Sequence, residues 1–108
     1  MNKLIKILVV SNDPILFLLE KEGYQCSFVQ DEYQALLTLD SNSFDVLILD
    51  WPNNGDGLLD IMSKLQEMRI ILTSARFISS TTVPSFVDRI ILRPYSFEDL
   101  LAIVKELT

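Results

Sequence analysis

The sequence predicts a single α/β domain of three layers, with helices on both faces of a five-stranded, doubly wound parallel sheet. Two observations carry this. Five short apolar segments recur along the chain, each closed by a polar cluster and separated by stretches of helical period. Two of them, Ile5–Val10 and Val46–Leu49, are near-continuous aliphatic runs, as strands covered on both faces require. The strand order expected of such a sheet is 2-1-3-4-5, a common doubly wound arrangement.

Ile5–Val10 is the first strand. Pro14–Glu22 leaves room for only about 2.5 turns of helix, and Gly23 ends it, so the first helix is shortened. Gln25–Val29 supplies the second strand. Asp31 then caps a helix over Glu32–Ser41, with Gln34 in capping-box position and Ala35, Leu36 and Leu39 as its apolar stripe. Val46–Leu49 is the third strand. After Asp56 and Gly57, the residues Leu58, Leu59, Ile61, Met62 and Leu65 repeat at helical spacing towards Met68. Ile70–Leu72 is the fourth strand. Phe77–Phe86 is rich in Ser, Thr and Val and contains Pro84, so the fourth helical segment should be irregular: a turn, a loop or a 3₁₀ fragment. Arg89–Leu92 is the fifth strand. Ser96 caps a last helix, with Asp99 at its third position and Leu100, Leu101, Val104 and Leu107 facing inward. No repeat or linker divides the chain, so residues 1–108 read as one domain.

Composition removes several function classes. Fifteen acids against nine bases leave a net charge of −6, which takes away the attraction behind non-specific nucleic-acid binding. No direct contact with nucleic acid is expected. Hydrophobic residues make up 49% of the chain, yet no apolar run approaches the ~18 residues of a membrane span. A domain with no membrane contact follows. Met1 leads straight into a strand without a signal-peptide pattern, and Cys26 is the only cysteine, which together point to the cytoplasm. Histidine is absent, which excludes Ser-His-Asp and Cys-His nucleophiles and every His-ligated metal, so the chain is not expected to be an enzyme.

In an open parallel sheet the site lies beyond the carboxyl ends of the strands. The residues there are Ser11, Asn12 and Asp13, then Asp50, Thr73 and Ser74, and finally Arg93 and Pro94. A carboxylate, a hydroxyl and a cation converge. Asp13 before Pro14 reads as an N-cap followed by the proline of a helix start, the alternative being a carboxylate that swings towards a metal. The Asn/Asp/Gly run after Asp50 is not a calcium loop, because no acid follows at EF-hand spacing. A flavin-binding reading lacks the Ser/Thr/Gly-rich phosphate cradle after the first strand, and the chain has only three glycines. Trp51 and Cys26 read as packing residues.

From KILVVSND through FDVLILD, DGLLDIM and IILTSA to IILRPYSFEDLL, the chain resembles the receiver domains of two-component response regulators over nearly its whole length. The resemblance implies a flavodoxin-like (βα)5 fold. It implies Asp50 as phospho-acceptor, taking a phosphoryl group from the phosphohistidine of a sensor histidine kinase. By the same resemblance Ser74 is the hydroxyl that bonds a phosphate oxygen, with Thr73 in the less fitting register. Arg93–Pro94 stands for the family's Lys-Pro pair, and Asn12, Asp13 and the Pro52 carbonyl are what remains of a Mg²⁺ site.

The departures are as informative. Ser11 and Asn12 stand where the family has two acids, the loop after Asp50 is one residue short with Pro52 two positions on, and Ile90 occupies the aromatic switch position. Mg²⁺ binding should therefore be weak. Arg93 should pair directly with Asp50, the alternative being an exposed guanidinium whose stem lies on the sheet end. The function expected is that of an atypical receiver, regulating a histidine kinase, another signalling protein or a second copy of itself by protein–protein contact. The alternative is a working receiver phosphorylated at Asp50.

Overall fold

The computed structural model describes residues 4–50, 68–75 and 85–108. The expected third helix, most of the Phe77–Phe86 segment and the loop carrying Pro52 lie outside these residues.

Five strands, β1 (Lys6–Val10), β2 (Gln25–Val29), β3 (Val46–Asp50), β4 (Arg69–Ser74) and β5 (Arg89–Leu92), form one sheet in the order β2-β1-β3-β4-β5. Every neighbouring pair is parallel. Because side chains alternate along a strand, the sheet presents two apolar faces. Ile7, Val9, Val46, Ile48 and Ile71 pack on one side with Leu16 and Leu19 near the start of the chain and with Leu100 and Val104 near its end. Leu8, Val10, Leu47, Leu49, Ile70 and Leu72 pack on the other with Ala35 and the half-buried Leu36 and Leu39. The aliphatic runs of β1 and β3 are thus explained by burial on both faces, and helix, sheet and helix make the three layers.

Two strands run further than their apolar cores. β3 takes in Asp50 and β4 takes in Arg69, Thr73 and Ser74, because the ladder continues through the pairs Asp50↔Thr73 and Ser74↔Leu92. Asp50 and Ser74 are therefore the last residues of strands, held by backbone pairing rather than by loops.

Asp13 caps a 3₁₀ turn, Pro14–Phe17, that continues into α1 (Leu18–Lys21). Gly23 ends this short helical segment with φ at 96°, a conformation costly to any residue with a Cβ. In α2 (Glu32–Ser41) the Asp31 carboxylate accepts from the Gln34 N–H at 2.9 Å. The Gln34 side chain reaches back to the N–H of Gln30 at 3.0 Å, one residue before the one a capping box would use. The last helix, α3 (Phe97–Leu107), begins with Ser96 Oγ accepting from the Asp99 N–H at 3.1 Å. Leu100 and Val104 are fully buried beneath it, while Leu101 and Leu107 are half-buried.

Two aspartates close the amino edge of the sheet. Asp45 accepts from the Lys6 N–H at 2.9 Å, and Asp88 accepts from the Ile70 N–H at 2.8 Å. Each satisfies a backbone donor near the start of a strand. No helix among the described residues is long and apolar enough to cross a membrane.

Candidate functional site

The carboxyl edge carries the converging polar groups. Asp50 ends β3 with a side chain only 16% exposed, and Arg93 follows β5 with 27%. Between the two strands lies β4, so Arg93 must reach across its end to touch Asp50. It does so: Arg93 Nη2 donates to Asp50 Oδ1. The Arg93 backbone is anchored as well, its N–H donating to the Ser74 carbonyl at 2.7 Å. Only one end of the guanidinium fork is used on the carboxylate, since Nε is buried and has no hydrogen-bond partner among the described residues. The peptide bond between Arg93 and Pro94 is cis.

Asp13 is engaged through both oxygens. Oδ1 accepts from the Ile15 N–H at 3.1 Å, which is the cap, and Oδ2 accepts from the Tyr95 hydroxyl at 3.2 Å. Its own N–H donates to Ser11 Oγ at 3.1 Å. The choice between cap and free carboxylate thus falls on the cap. Tyr95 is held firmly protonated, first by burial and then by the Asp13 charge and hydrogen bond, with Asp50 adding to the effect and Arg93 opposing it. Tyr95 is thus within electrostatic reach of Asp13, Arg93 and Asp50.

Ser74 and Thr73 are buried at the end of β4, and Asn12 is exposed at the end of β1. The structure therefore brings Asp50, Ser74 and Arg93 to one edge, with Asp13 tied to Ile15 in its own loop and to Tyr95 beyond β5. Pro52 lies outside the described residues. A cleft of about 500 Å³ opens beside these groups, lined by Asp13, Ile15, Ala75, Arg93, Pro94 and Tyr95. Arg93 lines this cleft and also donates to Asp50.

Tyr95 is the residue that sequence reasoning missed. The search there was for an aromatic on β5, where Ile90 stands, and the signal was an aromatic two positions after the cation instead. No group of three or more acids or cysteines able to hold a metal occurs among the described residues.

The fold just described is that of response-regulator receiver domains, the receiving modules of two-component signalling. No protein-family model matches the chain. Over 99 residues, 86% of this chain, it is 29% identical to the sensory transduction protein RegX3 of Mycobacterium tuberculosis, and it spans 44% of that protein's length. Among solved structures, the receiver domain of the Francisella response regulator 1452 matches with a TM-score of 0.81 at 26% identity, covering 95% of both chains. The response regulator TrrA of Thermotoga maritima, crystallised with Mg²⁺ and BeF, matches with a TM-score of 0.79 at 27% identity, covering 97% of this chain and all of that one.

Proposed function

We propose that this receiver works as a regulatory module read by protein–protein contact, with Mg²⁺-dependent phosphorylation of Asp50 weak or absent. The Arg93–Asp50 ion pair carries the reading. A guanidinium already balances the carboxylate that would otherwise face a metal cation, and unlike an ammonium it never loses its charge. The neighbouring donors point the same way. Ser11 and Asn12 are uncharged, and both oxygens of Asp13 are in use, so the residues present do not fit a Mg²⁺ ion, which asks for near-octahedral oxygen ligands of high charge. On this reading residues 1–108 form one cytoplasmic receiver domain with no enzymatic turnover of its own and no direct contact with nucleic acid or membrane. Its partners are a sensor histidine kinase, another signalling protein or a second copy.

A second reading is kept by one observation, that Asp50, Ser74 and Arg93 share an edge as a phosphorylation site requires. In it an Asp50 oxygen attacks the phosphorus of a kinase phosphohistidine, the P–N bond breaks, and Ser74 bonds a phosphate oxygen while the imidazole leaves.

Trp51, the only tryptophan and the residue after Asp50, separates the readings. Its fluorescence should change little when Mg²⁺ and beryllofluoride, a mimic of the acyl phosphate, are added at roughly millimolar concentration. Saturable quenching at micromolar concentration would overturn the preferred reading in favour of the second.

A further inference from the structure

The two edges of the sheet are guarded differently. β5 begins with Arg89, whose Nη1 donates to the Asp88 carbonyl at 2.8 Å, and is followed by Arg93 and Pro94. Charges and a proline of this kind keep an edge from pairing with another chain. β2, the other edge, has neither. Gln25, Cys26, Ser27, Phe28 and Val29 are uncharged, and their register with β1 runs from Lys6↔Gln25 to Val10↔Val29 without a bulge. Gln25 is exposed and the other four are half-buried, whereas β1 and β3 inside the sheet are mostly buried.

The unpaired groups on this edge can be named. The Gln25 N–H donates inward to the Ile5 carbonyl at 2.9 Å. Backbone direction alternates along a strand, so Ser27 and Val29 also face β1, while Cys26 and Phe28 turn their N–H and C=O groups out of the sheet. Neither residue makes a backbone bond to a described loop or turn. Beside them Phe17 packs edge-on against Phe28, with ring centroids 4.5 Å apart, and stays 55% exposed. The edge thus offers a ladder of hydrogen bonds with an aromatic surface next to it, which an extended strand can satisfy and a helix cannot.

We propose that β2 pairs antiparallel with β2 of a second copy, joining the two sheets across a two-fold axis at Ser27. The edge is complementary to itself. In an antiparallel pair, residues directly opposite each other can exchange both of their bonds. With Ser27 opposite Ser27, Cys26 of each copy stands opposite Phe28 of the other, and every outward N–H and C=O of these residues is answered. Ser27 then falls on a pair without hydrogen bonds, where side chains approach most closely and two hydroxyls fit but two charges do not. The axis uses each contact twice, Phe17 beside Phe28 included. A strand from another protein has to bring this pattern with it, whereas each copy of this chain already carries it. A strand pair of this length is a small interface, and a charge of −6 on each copy opposes it, with Glu20, Glu22 and Asp31 exposed near the ends of β2. The dimer is therefore weak and forms at high concentration. The proposal rests on the reading of this domain as a protein–protein module, and it names the surface and the partner.

The test uses the whole chain. Sedimentation at rising concentration should show a monomer passing into a dimer, and added salt should strengthen the association because it screens like charges. Amide exchange in the parent locates the contact. Cys26 and Phe28 should gain protection as concentration rises. Ile90 and Leu92 should not; they are the outward residues of β5, since the Arg93 N–H points inward to Ser74. Ser27→Lys should weaken the dimer about tenfold, although it lowers the net charge that opposes association. On any other surface the same substitution would help or do nothing. Should Ser27→Lys fail to fold, the exchange pattern of the parent decides alone. A chain that stays monomeric at the concentrations of the exchange measurement would leave the edge to a strand of another protein and overturn the proposal. Protection at Ile90 and Leu92 instead, or a dimer indifferent to Ser27→Lys, would overturn it as well. The outcome is independent of Asp50: a Trp51 response to Mg²⁺ and beryllofluoride would remove the atypical reading and leave the dimer to be decided by sedimentation and exchange.

Discussion

Arg93, one residue beyond β5, donates to the carboxylate of Asp50 at the end of β3, across the intervening end of β4. Both side chains are mostly shielded from water, at 27% and 16% exposure, so this is not an ordinary surface pair. Removing one partner leaves the other shielded and unanswered, and that penalty exceeds the net worth of the pair itself. Asp50→Asn and Arg93→Ala should each cost on the order of 1–3 kcal/mol. The double variant should be clearly less destabilised than the sum, with a coupling of roughly 0.5–3 kcal/mol. Urea denaturation of the four proteins measures this, and additive losses would show that the pair contributes nothing specific.

The second tie across the same edge, Tyr95 to Asp13, should be weaker and separable. Tyr95→Phe removes one donor and keeps the ring, so a loss of about 1 kcal/mol is expected. Asp13→Ala removes the cap and the acceptor together and should cost about 1–2 kcal/mol. Asp13→Asn keeps one oxygen for the Ile15 N–H and turns its amide N–H towards the Tyr95 hydroxyl oxygen, which can accept it, so it should cost less than Asp13→Ala. A Tyr95→Phe variant as unstable as Asp13→Ala would mean that the ring's packing, not its hydroxyl, is what matters.

The strands and the short first helix were legible because each rests on a local signal, an aliphatic run buried on both faces, a glycine at positive φ, a Ser or Asp in cap position, while the strand order was expected from the arrangement common to doubly wound sheets. The Arg93–Asp50 pair was also legible, from charge together with the register that the family resemblance supplies, since a shielded carboxylate without the family's metal acids needs one cation and only Arg93 was in register. Two things were not. The ends of β3 and β4 depend on ladder pairs with Thr73 and Leu92, which are long-range and leave no periodic trace near Asp50 or Ser74. The Tyr95–Asp13 contact joins residues 82 positions apart, and nothing in the motif around Arg93 announces that an aromatic will turn back to the first loop.

Alkaline pH should weaken the fold through two groups. Burial, with a smaller part from the Glu20 charge, pushes the Cys26 thiol from its ordinary 9.0 up to about 12, and Tyr95 is raised as well. Both are neutral when protonated, so above the ordinary values the folded chain holds protons that the unfolded chain has released. Their contribution is complete below pH 9 and is lost progressively as pH rises from there towards 12. The denaturation midpoint should fall steadily over that window, and Cys26→Ala should flatten the early part of the decline. Cys26 should also react slowly with a disulfide-exchange reagent near pH 8. Fast labelling of the folded chain would mean that the thiol is neither shielded nor raised.

Restoring the two missing acids should restore metal binding, provided that charge is the obstacle. In Ser11→Asp/Asn12→Asp the first carboxylate stands where Ser11 Oγ now accepts from the Asp13 N–H at 3.1 Å, a bond that a carboxylate oxygen can also accept. The second lies at an exposed position where a charge carries little desolvation penalty. At about 4 Å and an effective dielectric near 20, each added carboxylate brings on the order of 4 kcal/mol of gross attraction per unit of metal charge. Most of this is offset by dehydration of the ion, so a tightening of at least about tenfold in Mg²⁺ affinity, read from Trp51 fluorescence, is the expected result. Arg93 is the competing cation, because its guanidinium already holds Asp50. Adding Arg93→Lys to the double variant therefore locates any failure. If only the triple variant binds Mg²⁺, the guanidinium was the block, since a shorter and more mobile ammonium yields the carboxylate to the metal. If neither binds, charge is not what excludes the ion, and the cause lies with the short Pro52 loop after Asp50.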